Sequence, residues 1–416
     1  MDNEIIAGLD IGTTKVCVVI ARKTDKTNTT SGEIEIIGTG IAPSTGLKKG
    51  VVVNIDSTVR AIKKSIEEAE LMAGVNINSL LVGIAGSHIN GINSRGVIAV
   101  SGRGKEKEIT KDDVNRVIST AKSISIPGDR EIIHVIPQEF IVDDQDGIYD
   151  PVGMSGVRLE VEVHIVTCSA SSVQNIIKSV NKAGYEVADI ILQPLASGEA
   201  VLNDDEKELG SMVIDIGGGT TDLVIYIENS IWHTAVIPIG GNYVTSDISY
   251  GIRTPNTSAE IIKKQYGCAL TDLVDDGEFI EVPLVGGRPP KRFARKMLAK
   301  IVEPRMEEIF AMAADELKKN NYQDRIAAGT VITGGASQIE GACDLAERML
   351  NHPVRLGYPK GISGITDSVN SPVHAVAVGL ALFGARNQED VFEERKEGLF
   401  TGVKSRMAKW FGEFFH

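Results

Sequence analysis

Two short stretches place a carboxylate, glycines and hydroxyls side by side: residues 10–15 (DIGTTK) and residues 215–221 (DIGGGTT). Glycine accepts positive φ angles and lets an anion approach the backbone. A turn containing Gly12, or Gly217, Gly218 and Gly219, can therefore aim successive N–H groups at a phosphate. Thr13, Thr14, Thr220 and Thr221 add hydroxyl donors, and Lys15 adds a positive charge. Asp10 and Asp215 supply the hard oxygen ligands that a hydrated Mg²⁺ prefers. Either turn alone reads equally well as a plain tight hairpin. An Asp at the start of the same turn in both halves of the chain favours the phosphate reading.

The segments that must position these groups are themselves repeated. Residues 5–20 read IIAGLDIGTTKVCVVI and residues 211–227 read SMVIDIGGGTTDLVIYI, each an apolar strand, a Gly/Thr turn and a second apolar strand. Such self-similarity predicts two related α/β lobes. Strands are expected at 34–41 and 80–85 and a helix at 58–73 in the first lobe. The pattern changes between 86 and 162, with a strand at 97–100, a helix at 111–123 and strict alternation over 157–165 (VRLEVEVHI). There Val157, Leu159, Val161, Val163 and Ile165 face one way, and Arg158, Glu160, Glu162 and His164 the other. This stretch is expected to be an inserted α/β subdomain. A helix at 173–183 leads through a strand at 190–192 to Gln193. The second half is expected to hold a helix at 257–265, a loop at 282–290, a long helix at 291–320 and a strand with a Gly-Gly turn at 331–335. A helix at 372–383 comes last. Residues 333–336 (TGGA) follow a clean strand and could approach a nucleoside. The pairs Gly38/Gly40 and Gly102/Gly104 lack a third fingerprint glycine and read as surface turns; no GxxxxGK[ST] occurs.

The end of the chain differs from the rest. Across 399–416 (LFTGVKSRMAKWFGEFFH), Leu399, Phe400, Val403, Met407, Trp410, Phe411, Phe414 and Phe415 recur at three- and four-residue steps. Lys404, Arg406, Lys409 and Glu413 lie off that stripe. Aromatic residues on one face with Lys and Arg on the other make an interfacial membrane helix; docking on the second lobe is the alternative. The charged run before it, 386–398, suits a linker to a free helix. One such anchor binds membranes with only about 10⁴ M⁻¹. Stable attachment then needs many copies in one assembly, so a polymer suits this anchor better than a monomer.

Composition limits the partners. With 43 Lys and Arg against 56 Asp and Glu, the net charge is −13, which disfavours general nucleic-acid binding and, outside the terminal segment, an anionic membrane. Apolar residues make up 42% and charged residues 24%, ordinary globular values. Four cysteines without a CxxC pair argue against a disulfide framework or zinc site and suit a reducing cytosol. The start, MDNEIIAGLD, carries acid where a secretory signal carries basic residues, and no apolar run is long enough to span a bilayer.

The motifs DIGTTK, QPLASGEAVL, DIGGGTTD and ITGGASQIEG together resemble the actin-like ATPase superfamily of actin, heat-shock chaperones and sugar kinases. GSHING, PIGGNYVTSDISYGIRTP, QYGCA, VGGRPP and IVEPR narrow the resemblance to the FtsA family of bacterial cell-division proteins, over residues 8–384. It implies two actin-like (ribonuclease H-like) lobes around a nucleotide cleft: 1–85 with 163–194 and 358–385, and 195–357. Residues 86–162 match the family's inserted subdomain, ahead of the linker at 386–398 and the terminal helix at 399–416. It further implies ATP and Mg²⁺ as cofactors, with Asp10 and Asp215 holding the metal through water. Gln193 falls where the superfamily orients the attacking water; the other reading of Gln193 is a capped strand end before Pro194. Gly334, Gly335 and Ala336, with the helix carrying Glu260, Lys263 and Lys264, match the adenosine side. The resemblance implies a protein that polymerises on the cytoplasmic face of the cell membrane at the septum. There it tethers filaments of FtsZ through that protein's C-terminal peptide and recruits membrane proteins of the divisome through the inserted subdomain. Arg288, Glu303 and Arg305 are the candidates for FtsZ contact, beside the alternative of an ordinary loop and a solvated helix face. As an enzyme it would be at most a slow ATPase, because a glutamine at 193 orients water without taking its proton.

A small-molecule kinase of the sugar or acyl type shares both phosphate loops. It needs a general-base carboxylate in a substrate pocket, none of which stands out, and has no use for a terminal amphipathic helix. A peptide-holding chaperone would need a C-terminal β domain. His88 in GSHING has no Ser/Asp partner pattern and reads as a turn or interface residue.

Overall fold

Strands Ile5–Ile11 and Lys15–Lys23 pair antiparallel, with Asp10 opposite Cys17. Strands Ser211–Ile216 and Thr221–Ile227 pair the same way, with Asp215 opposite Asp222. In a computed structural model, which describes residues 5–24, 33–100 and 107–386, each hairpin is the centre of its own sheet. The first sheet runs Glu186–Leu192, Ser79–Ile84, Ile5–Ile11, Lys15–Lys23, Ile34–Pro43, Ile362–Gly364. The second runs Ser230–Ile237, Thr221–Ile227, Ser211–Ile216, Thr330–Thr333, Val354–Leu356. In both, the hairpin adds a third antiparallel strand on one side and a parallel strand on the other. The two halves thus share one topology, as the repeat predicts.

Sequence and burial explain the sheets. Val16, Cys17, Val18, Val19, Ile20 and Ala21 are all fully buried, the unbroken apolar run of a strand covered on both faces. Helix Ile55–Ala73 covers one face, begun by an Asn54 cap that accepts from Ser57 N and ended at Gly74 in the left-handed region. Its approach to strand Ile34–Pro43 is very close. A Cβ on Gly40 would lie 2.0 Å from Ser65 O, and one on Gly38 2.4 Å from Ala69 O. These glycines are therefore interior strand positions under a helix rather than the expected surface turn; Gly102 and Gly104 lie outside the described residues.

Between the lobes run helices Gln193–Val201 and Ala375–Arg386. The second is apolar all round because it is buried all round. A Cβ on Gly379 would lie 1.7 Å from Ala196 O, so glycine there is a condition of the helices meeting. This helix starts at Ala375 after a short 3-10 turn and extends to Arg386, which was expected to open the linker. Arg386 instead donates to Glu33 Oε2 (2.7 Å) and pairs with Glu199.

The inserted region forms a four-stranded sheet in the order Gln145–Ile148, Arg130–Val142, Arg158–Ser169, Asn90–Ala99, backed by helix Lys111–Ala121. The expected boundary after residue 162 falls inside the continuous strand Arg158–Ser169. Leu159, Val161, Val163 and Ile165 enter the core beneath that helix. The opposite face is not solvent: Glu160 and His164 are buried too. Arg95 Nε donates to Glu160 at 2.6 Å, and His164 lies between Asn93 Oδ1 (2.6 Å) and Thr234 Oγ1 (2.8 Å) of the second lobe. Gln138 Nε2 donates to the carbonyls of Ile231 (3.2 Å) and Trp232 (3.0 Å). The insert therefore grows from the first lobe and also docks on the edge strand of the second.

The long helix spans Arg295–Lys319, not 291–320. Lys291–Ala294 pairs as a strand with Phe279–Val282, and Arg292 stacks 4.0 Å from the Phe279 ring centre. No helix among the described residues is long and apolar enough to cross a membrane.

Candidate functional site

The two hairpin turns face each other across a cleft of about 950 Å³. Each is closed by the same bond: Gly12 N donates to Lys15 O (2.9 Å), and Gly217 N to Thr220 O (3.0 Å). They approach so closely that a Cβ on Gly219 would lie 2.4 Å from Thr13 Oγ1, and one on Gly218 2.4 Å from Thr14 Cγ2. Thr13 Oγ1 also accepts from Gly50 N at 3.1 Å.

Asp10 and Asp215, both buried at strand ends, line this cleft. Asp10 uses both oxygens: Oδ2 accepts from Lys15 Nζ (2.7 Å) and Oδ1 from Gln193 Nε2 (3.0 Å). Burial alone would lower the Lys15 pKa, but Asp10, Cys17 and Asp215 hold it above its ordinary value. Burial, then the charge of Asp10, pushes Asp215 up to about 7 against the opposing pull of Lys15. The sequence reading missed a third carboxylate. Asp222 also lines the cleft, accepting from Thr220 Oγ1 (3.3 Å) through Oδ2 while its shielded Oδ1 has no partner. Burial and Asp215 raise its pKa well above normal. The signal was present in DIGGGTTD, two residues beyond Thr220 on the same strand face.

Gly217, Gly218, Gly219 and Thr220 line the cleft, whereas Thr221 does not. Its hydroxyl donates to Ile239 O at 2.8 Å behind the sheet, because alternation along the strand turns it away from Thr220. At the other end of the cleft, Gly334, Gly335 and Ala336 meet Glu260, Lys263 and Lys264. Gly334 has φ +85°, and a Cβ there would lie 2.3 Å from Asp215 Oδ1. Lys263 is nearly buried and donates to Gly241 O (3.1 Å) and Thr245 Oγ1 (2.9 Å) besides pairing with Glu260 (2.7 Å). It holds the helix Asn256–Tyr266 against helix Gly241–Ile252. Lys264 is more exposed and pairs with Glu260 at 3.4 Å. Gly50, which carried no sequence signal, also lines the cleft, as do Asn242 and Gln338, which sit inside the motifs PIGGNYV and ITGGASQIEG but were not singled out there.

The residues present suit a Mg²⁺–nucleotide. Three buried carboxyls face one lysine, and the raised pKa values of Asp215 and Asp222 mean that ionising them all calls for further positive charge, which a cation would supply. The glycine turns leave backbone where side chains would fill the space. Asp10 and Asp215 would hold the ion, Lys15 and both turns the phosphates, and Gly334 to Ala336 the nucleoside.

The partner candidates lie away from this cleft. Arg288 is exposed between strands Phe279–Val282 and Lys291–Ala294. Glu303 accepts from Thr271 N at 3.1 Å, and Arg305 Nε donates to Asp247 Oδ2 at 2.7 Å, so both make contacts within the chain. Phe400, Val403, Met407, Trp410, Phe411, Phe414 and Phe415 lie outside the described residues.

Comparison with known proteins agrees with this fold. The family model "Cell division protein FtsA" matches residues 212–379, and "SHS2 domain inserted in FTSA" matches 86–167. The chain is 49% identical to the cell division protein FtsA of Pseudomonas aeruginosa, over 93% of this chain and 91% of that one. It is 40% identical to the Escherichia coli K12 protein over 100% and 99%. Among solved structures it is similar in fold to a PilM-PilN type IV pilus biogenesis complex (TM-score 0.65, 16% identity, 91% and 98% covered). It is also similar to MreB5 of Spiroplasma citri bound to ADP (TM-score 0.55, 16% identity, 96% and 100% covered). An actin-like fold with this insertion, and this identity over nearly the whole length, place the chain in the FtsA family of cell division proteins.

Proposed function

We propose that this protein binds ATP with Mg²⁺ in the cleft, polymerises on the cytoplasmic face of the cell membrane at the division septum, and tethers FtsZ filaments there. The observation that carries this reading is the pair of facing glycine turns, each with its buried aspartate, in a chain of this family. The MreB5 relative of the same fold holds ADP. Bound ATP would supply the polyphosphate charge and the scissile phosphoanhydride. Lys15 and the turn amides face that charge from opposite lobes, so binding favours the closed cleft.

Gln193 Nε2 is taken by Asp10, which leaves Oε1 as the atom that accepts from a water. An amide orients a water but does not remove its proton at neutral pH, so turnover is slow and the nucleotide acts as a timer. The terminal helix would supply a weak membrane contact in each subunit that a filament multiplies. Arg288, Glu303 and Arg305 are the proposed contacts for the FtsZ C-terminal peptide, and the insert is the proposed surface for later membrane proteins of the divisome.

Sedimentation with anionic vesicles tests this, comparing the full chain with one ending at Gly398, with and without ATP. Pelleting that ATP enhances and that needs the last residues is expected. Equal pelleting of both chains overturns the membrane role. Trp410→Glu in the full chain should release it from the vesicles.

A further inference from the structure

Away from the nucleotide cleft, a second cavity of about 370 Å³ opens where the insert joins the first lobe. Its wall comes from the segment 87–92, which leaves the first lobe, from 125–127, and from the starts and ends of the two long insert strands at Arg130 and Thr167. Ser87, Asn90, Ser125 and Thr167 give it hydroxyl and amide groups, and no lining residue carries a carboxylate. In a chain of net charge −13 that is unusual ground.

Arg130 sets its character. Nε donates to Thr167 Oγ1 (3.1 Å), and Nη2 to His88 O (2.8 Å) and Thr167 O (3.0 Å). These bonds fix the guanidinium plane through one edge only. Among the described residues no hydrogen bond engages Nη1, and no carboxylate forms an ion pair with Arg130. Half-buried cations are ordinarily paired. A guanidinium held rigidly in the wall of a cavity of hydroxyls is preorganised for an oxyanion. His88 stands against it with both ring nitrogens shielded and without partners.

We propose that this cavity binds a phosphate-type oxyanion, gripped by Arg130 with Ser87, Ser125 and Asn90, and that the bound anion joins the insert to the first lobe. It would add a further bridge between segments that Arg130 already ties through His88 O and Thr167 O. Hydroxyls arriving from several directions suit a tetrahedral group better than a planar carboxylate.

His88 gives a local readout separate from the nucleotide cleft. Burial and Arg130 hold its pKa below the ordinary value. An anion on Arg130 offsets that charge and raises the midpoint. The test is NMR of the full chain with labelled histidine, the His88 resonance being assigned by its loss in His88→Gln. Millimolar inorganic phosphate at constant ionic strength should move that resonance saturably and raise its midpoint by about one pH unit. Arg130→Gln should abolish the response, and Arg130→Lys, which keeps the charge without the fork, should weaken it several-fold. Because Arg130 also secures strand ends, Ser125→Val serves as a second variant; it narrows the cavity without touching those bonds and should weaken binding several-fold. No saturable movement in the unaltered chain, or the same movement in Arg130→Gln, overturns the proposal.

Discussion

Asp215 is the residue at which the cleft's electrostatics can be measured. Its midpoint of about 7 stands against an ordinary 3.8. A raised carboxyl pKa means the native state holds the proton more tightly than the unfolded chain. Stability from this group is full below about pH 4 and is lost as pH rises through about 7. Asp215→Asn should therefore raise the melting temperature of the nucleotide-free, chelator-treated protein at pH 8, raise it less at pH 5, and leave it nearly unchanged only below about pH 4. Mg²⁺ and ATP together should stabilise the unaltered chain, and the same variant should lose that gain, which calorimetric melting reads directly. Lys15→Ala should abolish ATP binding in titration calorimetry, since it removes the one cation among three buried carboxylates; unchanged affinity would place the nucleotide elsewhere. Much of this site was legible, because local motifs carry both aspartates and every glycine of the turns. Thr221 and Asp222 exchanged roles with expectation. The motif shows that hydroxyls and acids are near, but only the strand's alternation decides which of them faces the cleft.

Among elements, the hairpins and the helices with plain periodicity could be read from the chain, and the close contacts could not. Gly38 and Gly40 look like turn residues until a helix is laid on them. Gly40→Ala forces its Cβ against Ser65 O and should cost roughly 1–3 kcal/mol, seen as a lower urea midpoint with an unchanged slope. The segment Lys291–Ala294 was expected to open the long helix. It is taken into a hairpin by Phe279 and Ile280, partners more than ten positions away that no local period reveals. The strand Arg158–Ser169 showed the same limit. Its alternation gave the correct core face, but the other face is covered too: His164 bonds Thr234 of a lobe distant in sequence, and Glu160 is buried against Arg95 of the neighbouring strand.

At the scale of the whole molecule, the seam between insert and second lobe is the contact with the widest reach. Gln138 bonds the carbonyls of Ile231 and Trp232 while His164 bonds Thr234. Gln138→Leu should remove the amide's bonds to both carbonyls, of which Trp232 O keeps Tyr322 Oη (3.3 Å), and cost about 1 kcal/mol. In hydrogen-exchange measurements, nucleotide should alter protection at 134–138 and 231–234 together in the unaltered chain, and separately in that variant. The first lobe meets the second through the paired central helices, the second meets the insert through this seam, and the insert returns to the first lobe at Arg130 and at His134, whose Nε2 accepts from Leu192 N. The three bodies therefore form a closed linkage, like a triangle of jointed bars rather than an open chain. In such a frame no joint turns alone: opening the cleft must slide the seam or swing the insert, so whatever grips the insert from outside also sets how far the cleft can open.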